Sequence, residues 1–350
     1  MGAPIEMLTG GRTNETWRVE ADRELVIQHV RSNGRADLLA LMENLVRVTS
    51  HLEWGHHTGP HKAEPTWWPI LVPTAAGRPF IMDDAGDVWR AFVYRPGRIP
   101  RGPMAEESIV SGARRFARFA AATAELGGDP LRESTNQFHH LDAVFADFEA
   151  TVAAAEGEGD ERLVAVRPHF DQIQQLFGRV TELSKSDGLG AVGHRVVHND
   201  TKFSNSLLAP EGHEVVAVLD LDLAMMGPIW HDVGDLVRST AWHHHKSGPT
   251  QPFFDFELTS AVVAAYTETA TERIGDDEIA TLAVAGPRLA FELGVRYITD
   301  HLRQTPVLRV EGIDGHLHRG AANLNLAEEM LTAYDALRSV VDQLIAAQAR

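Results

Sequence analysis

The sequence predicts an α+β fold of two lobes, and three features of the chain support this prediction. Residues 5–94 contain short runs with the two-residue alternation of β-strands, bounded by glycine and proline turns. Residues 105–345 contain long runs in which apolar residues recur every three or four positions, as in helices. A passage rich in proline and glycine, residues 96–103, separates the two patterns. We therefore expect a small antiparallel-β N-lobe at 1–97 and a larger, mainly helical C-lobe at 98–350.

The first lobe begins with three predicted strands around a glycine-containing turn. The turn falls at residues 10–14, between a first strand and strands at 16–19 and 25–30. Such a turn can direct backbone N–H groups at phosphates, although an ordinary hairpin is the better interpretation of the local sequence alone. The candidate nucleotide-binding residues of this turn are Gly10, Gly11, Thr13 and Asn14.

A helix at 35–54 and further strands complete the predicted first lobe. Glu43 lies off the apolar stripe of this helix, as either a solvated charge or a functional carboxylate. Strand and turn patterns follow at 65–73 and 77–82, and a strong strand at 88–94. The second lobe is predicted to contain helices at 105–126, 138–155, 170–183 and 258–266, one that opens at Pro287, and one at 324–345.

Histidine clusters raise the question of a zinc site, and we favour none of them. Four histidines at 51, 56, 57 and 61 surround a Gly-Pro loop, but zinc needs fixed spacing and usually a carboxylate or thiolate partner. Residues 243–245 are consecutive histidines, which do not converge on one ion from regular structure. We expect them on a loop that faces solvent.

The segment 194–234 contains the residues that phosphoryl transfer requires. A polar turn offers Asp200, Lys202 and Asn205, and a predicted hairpin then leads to Asp220. Phosphoryl transfer needs a carboxylate near the attacking hydroxyl, oxygen ligands for Mg²⁺ on the nucleotide phosphates, and a nearby cation. A single aspartate in a turn is usually a turn former or a cap, but these spacings agree with one another. They predict Asp200 as the base, Asn205 and Asp220 as metal ligands, and Lys202 at the γ-phosphate.

Six motifs of the chain resemble one family of small-molecule kinases. They are, in order, TGGRTNETWRV, MENLVRVTSHL, HNDTKFSNSLL, VLDLDLAMMG, HDVGDLVR and ELGVRYITDHL. Together they resemble the aminoglycoside phosphotransferase and choline kinase superfamily, and within it most of all the N-acetylhexosamine 1-kinase group. The resemblance covers nearly the whole chain. It implies a bilobal protein-kinase-like fold, ATP with Mg²⁺ as cofactors, GTP as an alternative nucleotide, and a sugar or amino sugar as acceptor.

The resemblance also implies roles for residues outside the catalytic turn. The hinge, whose backbone amides receive the adenine, falls at 92–95 and includes Phe92 and Tyr94. Most relatives carry a lysine for the α- and β-phosphates on the third strand. This chain has Gln28 there, which can donate a hydrogen bond but carries no charge. Asp232 is expected to brace the catalytic loop from the helical lobe.

The acceptor is expected to contact residues of the catalytic stretch and of a late helix. Charged residues recur at four-residue intervals from Arg288 to Asp300, which is often a solvated, salt-bridged helix face. The match of ELGVRYITD to the hexosamine kinases favours the alternative that this face points into an acceptor groove. Asp222 is a candidate for either the acceptor or a second metal ion. The candidate acceptor residues are His198, Asp222, Glu292, Arg296 and Asp300.

Composition bounds the partners of the chain. The net charge of −17 opposes binding to nucleic acid and to anionic membranes. The chain has no cysteine, which excludes disulfides and thiolate metal sites, and no apolar run approaches the length of a membrane span. We expect a cytoplasmic protein whose partners are a nucleotide and a small-molecule acceptor. Its oligomeric state stays open.

Three alternative functions are compatible with parts of the sequence. An aminoglycoside or choline-type amine is an alternative acceptor, since an acidic chain can offer an acidic cleft. A nucleotide-binding pseudokinase that scaffolds a partner is supported only by Gln28. A protein kinase is the weakest alternative, because the segment from Asp220 to Asp232 is too short for a phosphorylatable activation segment.

Overall fold

A computed structural model shows the first lobe as an antiparallel sheet with one helix, as predicted. The structure describes residues 4–8, 14–32, 37–59, 64–135, 138–303, 308, 310 and 314–348. The strands are β1 (Ile5–Met7), β2 (Glu15–Glu20), β3 (Glu24–Val30), β4 (Ile81–Met82) and β5 (Val88–Val93). They are arranged in the order β1-β2-β3-β5-β4. Helix α1 (Leu38–Thr58) follows β3 in the chain.

Side-chain alternation along β5 determines what faces the helix. Val88, Arg90 and Phe92 are buried, whereas the residues between them are half-buried. Because successive side chains of a strand point to opposite faces, these three share the inward face of the sheet. Nη1 of Arg90 lies 3.6 Å from Sδ of Met42 on α1, so this face packs on the helix. The β3–β5 register places Gln28 directly opposite Arg90.

The second lobe is a group of helices with two short pairs of strands. The helices are α2 (Glu106–Thr123), α3 (Leu141–Glu158), α4 (Leu163–Val166), α5 (Phe170–Ser186), α6 (Trp230–His243), α7 (Phe256–Thr269), α8 (Asp276–Ala280), α9 (Leu282–Leu302), α10 (Gly315–Thr332) and α11 (Tyr334–Gln348). The antiparallel pairs are β6 (Arg195–Val197) with β9 (Met225–Gly227), and β7 (Ser206–Leu208) with β8 (Val215–Val218). Helix α9 lies at the centre of the lobe, where Phe291, Val295 and Ile298 are fully buried.

Helices α6 and α9 approach each other at a distance that only glycine permits. A Cβ atom at Gly234 would lie 2.6 Å from the carbonyl oxygen of Ala285. A Cβ atom at Gly286 would lie 2.5 Å from Cγ1 of Val237. The contact at Ala285 is with backbone, which cannot turn aside as a side chain can. This packing holds the start of α6, and therefore Asp232, firmly against α9.

Two of the predicted C-terminal helices differ from the structure. Pro287 lies inside α9 rather than at its start. A proline inside a helix removes one backbone hydrogen bond, which the burial of this helix offsets. The helix predicted at 324–345 is two helices that meet at Ala333. The break lets α11 pack against both α8 and α9, which one straight helix could not do.

The segments on either side of the predicted lobe boundary are joined to strands by backbone contacts. Residues 65–73, predicted as strand and turn, form one bridge in the sheet, from Leu71 to Phe92. Arg98 and Leu208 exchange two backbone hydrogen bonds of 2.9 Å, which join the passage to β7. The domain boundary at residue 97 stays a prediction. Among the residues that the structure describes, no helix is both long and apolar enough to span a membrane.

Candidate active site

The loop between β6 and β7 is held by a buried aspartate. The carboxylate of Asp232, near the start of α6, accepts hydrogen bonds from the backbone N–H groups of His198 (3.0 Å) and Asn199 (2.7 Å). Its backbone carbonyl accepts another from Oγ1 of Thr201 (2.6 Å). Burial raises the pKa of Asp232, while His198 and the two amides oppose that rise. Asp232 therefore braces the loop, as expected from the sequence.

His198 lies inside this loop and does not face an acceptor. Its ring is fully buried against the edges of Phe116 and Phe119. Nε2 donates to the carbonyl oxygen of Leu219 (2.9 Å), and Nδ1 accepts from the backbone N–H of Asp200 (3.3 Å). Because both ring nitrogens are engaged and the ring has no exposed surface, the expected acceptor contact is wrong. His198 instead ties the loop to the end of β8.

Asp200, Lys202 and Asn205 form one polar cluster. Oδ2 of Asp200 lies 2.5 Å from Nζ of Lys202 and accepts a hydrogen bond from Nδ2 of Asn205 (2.8 Å). Burial alone would raise the pKa of Asp200, but the Lys202 ammonium outweighs it and holds this pKa below its usual range. The Asp200 side chain is 21% exposed. It is therefore an ionised and accessible carboxylate that can receive a hydrogen bond or a proton.

The end of β8 brings Asp220 next to Asn205. The backbone N–H of Leu219 donates to the carbonyl oxygen of Asn205 (2.8 Å), which places the following residue beside the catalytic loop. Asp220 adopts a left-handed backbone conformation with φ 58° and ψ 66°. In the described part of the chain, the other non-glycine residues with positive φ are His139 and Asn199. Such conformations cost free energy and cluster at functional sites.

The charges around Asp220 favour a bound cation. Burial and the neighbouring Asp222 raise the pKa of Asp220 to about 7, although Lys202 opposes the shift. A divalent ion would stabilise the ionised carboxylate. Asn205 donates to Asp200 through Nδ2, which leaves its amide oxygen to act as a ligand. Carboxylate and amide oxygens are ligands that Mg²⁺ and Ca²⁺ bind, so the residues present fit a divalent metal.

Gln28 holds an arginine rather than facing an open cleft. Nε and Nη2 of Arg90 donate to Oε1 of Gln28 at 3.0 and 2.8 Å. Nη2 of Arg90 also lies 2.6 Å from Oδ1 of Asp222. Oδ2 of Asp222 accepts from Nδ2 of Asn14 (3.1 Å). Asp222 therefore faces the first lobe, and its contact with the acceptor or with a second metal ion stays a prediction.

The hinge amides are partly committed to the sheet. The N–H of Val93 donates to the carbonyl oxygen of Ile70, and the N–H of Tyr94 to that of Glu24, both at 3.0 Å. Neither amide is free to receive adenine, which corrects the expectation for Tyr94. Phe92 is 9% exposed and packs in the core beneath the Arg90 guanidinium. The proposed contact of Phe92 with adenine is therefore limited to the small exposed part of its ring.

Glu43 and the glycine turn complete the comparison with the predicted nucleotide site. Glu43 is directed away from the sheet and pairs with Arg132, Nη1 to Oε2 2.7 Å. Both side chains of this pair are about half exposed, so Glu43 is a surface charge. Gly10, Gly11 and Thr13 lie outside the described residues, so their contact with nucleotide stays a prediction.

A buried carboxylate on α9 adjoins the catalytic loop. Oε1 of Glu292 lies 3.0 Å from Nδ1 of His139 and accepts from Nε of Arg296 (3.1 Å). Burial alone would raise the pKa of Glu292, but His139 and Arg296 outweigh it and hold this pKa well below its usual range. Oε2 is buried with no hydrogen-bond partner among the described residues. Nε2 of His139 lies 3.5 Å from the carbonyl oxygen of Asn199, which joins this cluster to the loop.

The remainder of the charged stripe on α9 is structural. Asp300 is 2% exposed, and its Oδ2 accepts from the backbone N–H of Leu308 (2.7 Å). Its Oδ1 accepts from Nη1 of Arg303 (3.1 Å). The expectation that Asp300 lines an acceptor groove is wrong, because both oxygens hold the chain that follows α9. Arg288 packs over the ring of Trp230, 4.8 Å from its centroid, and burial lowers its pKa.

The consecutive histidines after α6 only partly face solvent. His245 is exposed, but His244 is 1% exposed, which corrects the expectation of a solvent-facing loop. Nδ1 of His244 accepts from the backbone N–H of Lys246 (3.1 Å), so its Nε2 carries the proton and is directed at Asp255. Glu106 lies near both imidazoles. With its proton on Nε2, His244 has no free lone pair to offer a metal, and its ring stacks on Phe253.

Comparison with known proteins identifies the family. A sequence model of the phosphotransferase enzyme family matches residues 4–266, which is more than half of the chain. The chain belongs to this family. It is therefore a small-molecule phosphotransferase with an alcohol group as acceptor. The matched residues include the catalytic loop, Asp220 and Asp222.

Solved structures share the fold of this phosphotransferase. An aminoglycoside phosphotransferase from Alicyclobacillus acidocaldarius superposes with a TM-score of 0.61 at 16% identity, over 97% of this chain and 92% of that chain. An ethanolamine kinase from Plasmodium vivax gives 0.58 at 11% identity, over 93% and 82%. An amicoumacin kinase in complex with AMP-PNP and Ca²⁺ gives 0.57 at 14% identity, over 94% and 88%. At these identities the similarity concerns the fold alone.

Two residues of the phosphotransferase site were not found from the sequence. Arg90 occupies an inward position of the alternating run VWRAFV, where an unpaired charge is rare, and that alternation is the signal that could have found it. His139 has no such signal. It reaches Glu292 from the loop before α3 with a left-handed backbone conformation (φ 59°), which no local pattern predicts.

Proposed function

We propose that this phosphotransferase uses ATP with Mg²⁺ and transfers the γ-phosphate to a hydroxyl group. The acceptor that we propose is a sugar or amino sugar of the N-acetylhexosamine type. The observation that carries the proposal is the pairing of Glu292 with His139 and Arg296 beside the catalytic loop. Both oxygens of Glu292 are buried and its charge is balanced, so the partly exposed Arg296 is the member of this group that can reach an acceptor. Such a group suits an uncharged acceptor rich in hydroxyls.

The catalytic cluster supplies the remaining roles. Asp200 orients the acceptor hydroxyl and takes its proton, since it is ionised and accessible. Lys202 lies next to it and offers a positive charge to the transferring phosphoryl group. Asn205 and Asp220 would hold the divalent ion, which neutralises charge on the β- and γ-phosphate oxygens when bound.

The charge balance of the second lobe argues against a polycationic acceptor. An aminoglycoside carries several ammonium groups and requires carboxylates that are not already neutralised. Glu292 pairs with Arg296 (3.0 Å), and Asp235, whose charge acts on Lys202, pairs with Arg238 (2.7 Å). A choline-type amine is usually bound by an aromatic cage, whereas the aromatic rings beside this cluster already carry arginines, with Arg296 over Phe138 and Arg288 over Trp230.

The proposal is tested by an acceptor screen. Release of ADP is measured with N-acetylhexosamines, neutral hexoses, aminoglycosides, choline and ethanolamine, with GTP replacing ATP in a second series. Turnover should be highest with an N-acetylhexosamine and should fall by about 10²- to 10⁴-fold in Asp200→Asn, because a general base contributes that much. Asp84→Asn, in an exposed turn, is the matched control and should retain wild-type turnover.

Two outcomes would contradict the proposal in different ways. Turnover confined to aminoglycosides or to choline-type amines would show that the proposed acceptor is wrong. The proposed roles of the catalytic cluster would still stand. Binding of ATP with no turnover on any acceptor would favour the pseudokinase alternative instead.

A further inference from the structure

Arg90 occupies the place next to the missing lysine. It lies on β5 directly opposite Gln28 on β3, so both side chains emerge on the same inward face of the sheet. Oε1 of Gln28 accepts from both Nε and Nη2 of Arg90, and Nε2 of Gln28 reaches Oγ1 of Thr16 (3.4 Å). The glutamine is thereby held in one orientation, and it holds the guanidinium in turn.

Among the residues that the structure describes, the guanidinium has one anionic partner, Asp222, which lies two residues after the proposed metal ligand Asp220. Nη2 of Arg90 lies 2.6 Å from Oδ1 of Asp222, and the Arg90 side chain is 1% exposed. The contact is a close ion pair without the alignment of a hydrogen bond, so Oδ1 keeps its capacity for a better-placed donor. Asn14 of the first lobe contacts the other oxygen. Residues of the first lobe therefore contact both carboxylate oxygens of Asp222. Asp222 follows Asp220 by two residues, so these contacts also restrain the segment that carries Asp220.

The α1 helix provides no carboxylate for this cation. Nη1 of Arg90 meets the thioether of Met42, 3.6 Å away. Glu43, the next residue, is directed outward to Arg132. A buried guanidinium is costly unless it is paired, so Asp222 is the partner on which the position of Arg90 depends. The reverse also holds, because Asp222 is only 15% exposed.

We propose that Arg90 is the positioning residue that supplies, from β5, the positive charge that position 28 lacks. It acts through Asp222, which it holds against the sheet, and so sets the place of the neighbouring Asp220 in the nucleotide and metal site. The proposal rests on the proposed function only in that a nucleotide binds with a divalent ion. In this proposal Gln28 orients the Arg90 side chain by accepting its hydrogen bonds.

The test moves the positive charge from position 90 on β5 to position 28 on β3. Binding of AMP-PNP is measured by calorimetry over a range of Mg²⁺ concentrations, together with the melting temperature of each variant. Arg90→Met should weaken binding by about tenfold or more and raise the Mg²⁺ concentration at half-saturation, since charge-assisted contacts are lost. The double variant Gln28→Lys with Arg90→Met should return to within about threefold of wild type, because the cation is restored on the adjacent strand. Arg31→Met, which removes an exposed arginine of the same lobe, is the matched control.

The outcomes separate this proposal from the proposed function. If the wild-type protein does not bind AMP-PNP with Mg²⁺, the proposed function fails. If wild type binds and a folded Arg90→Met binds equally well, only the role of Arg90 is overturned. If Arg90→Met does not fold, the double variant decides: recovery of Mg²⁺-dependent binding supports the role, and a folded double variant that binds about tenfold more weakly overturns it.

Discussion

Charge pairing at individual residues determines what each carboxylate of the site can do. Asp200 is paired with Lys202 and Glu292 with Arg296, and the pKa of each carboxyl is lowered. Asp220 differs, because burial and its acidic neighbour raise its pKa to about 7. Paired carboxylates stay ionised and orient hydroxyl groups, whereas the unpaired one requires a cation before it is stable as an anion.

Arg296 is the residue at which the proposed acceptor site can be tested most directly. Its side chain is 31% exposed while it pairs with buried Glu292. Arg296→Ala should raise the acceptor KM about ten- to a hundredfold and leave the ATP KM unchanged, because hydrogen bonds from a charged group are lost. Steady-state kinetics on the folded variant measures both constants.

Arg303→Ala is the matched control for that variant. Arg303, which follows α9, also pairs with two carboxylates, but these are Asp147 on α3 and Asp300 near the end of α9. It should change the melting temperature without changing either KM. Equal effects of the two substitutions on the acceptor KM would remove Arg296 from the acceptor site.

Asp220 predicts a pH dependence of stability in the metal-free protein. Folded Asp220 keeps its proton to about pH 7, whereas an unfolded aspartate loses it near pH 4. The folded state therefore binds more protons between these values, and its stability falls as the pH rises through that window and stays reduced above it. Asp220→Asn should melt at least about 2 °C above wild type at pH 8 and close to it at pH 4.5.

The same substitution should abolish Mg²⁺-dependent nucleotide binding, since an amide is a weaker ligand than a carboxylate. Calorimetry with ATP and Mg²⁺ measures this, and Asp84→Asn again serves as the exposed control. Identical melting temperatures of wild type and Asp220→Asn at pH 8 would show that folding does not raise the pKa of Asp220.

At the scale of elements, the packing of α6 against α9 positions the catalytic loop. Asp232 holds the loop from the start of α6, and Gly234 lies two residues further along against the backbone of α9. Because interiors are close-packed, a rigid neighbour at this point leaves no space for an added methyl group. The helix contact therefore supports the site as well as the core.

Gly234→Ala tests this contact. The added Cβ would lie 2.6 Å from the carbonyl oxygen of Ala285, and overpacking of this kind costs about 1–3 kcal/mol. Gly178→Ala, on an exposed position of α5 with nothing within 4 Å, should instead stabilise the protein by about 0.5–1 kcal/mol. Urea denaturation of both variants gives the comparison, and equal stabilities would refute the packing argument.

At the scale of the whole molecule, the two lobes meet around a set of acidic residues in a chain of net charge −17. Asn14 and Arg90 of the first lobe both contact Asp222 of the second. A nucleotide bound at the proposed site would bring several further negative charges to this place. We therefore expect the binding of phosphates there to depend on added cations more than on the overall field of the protein.

Thermal melting with ligands should show this dependence. ATP with Mg²⁺ at about 100 times its Kd should stabilise the folded protein by roughly 2.7 kcal/mol, whereas ATP with EDTA should give little or no shift. Sodium sulfate at the same ionic strength controls for general anion effects. A full shift in the presence of EDTA would mean that the nucleotide site does not require a divalent ion.

The sequence by itself determined the two-lobed fold, most of the helices and the polar turn of the candidate site. Asp200, Lys202 and Asn205 lie within six residues, so chain connectivity alone keeps them together. Helical periodicity located α2 and α5 to within a few residues, because long amphipathic runs have few alternatives. Helical periodicity did not predict the break at Ala333, because the residues on both sides of the break share one helical pattern.

Only the tertiary structure decided which charges pair across the fold. Arg90 meets Asp222 and His139 meets Glu292, although each pair is more than 100 residues apart in the chain. Spacing says nothing about such contacts, because they depend on how whole elements pack. The same is true of His198 and Asp300, whose sequence context suggested an acceptor but whose hydrogen bonds are used within the fold. A side chain can bind a substrate only when packing leaves one of its polar atoms free.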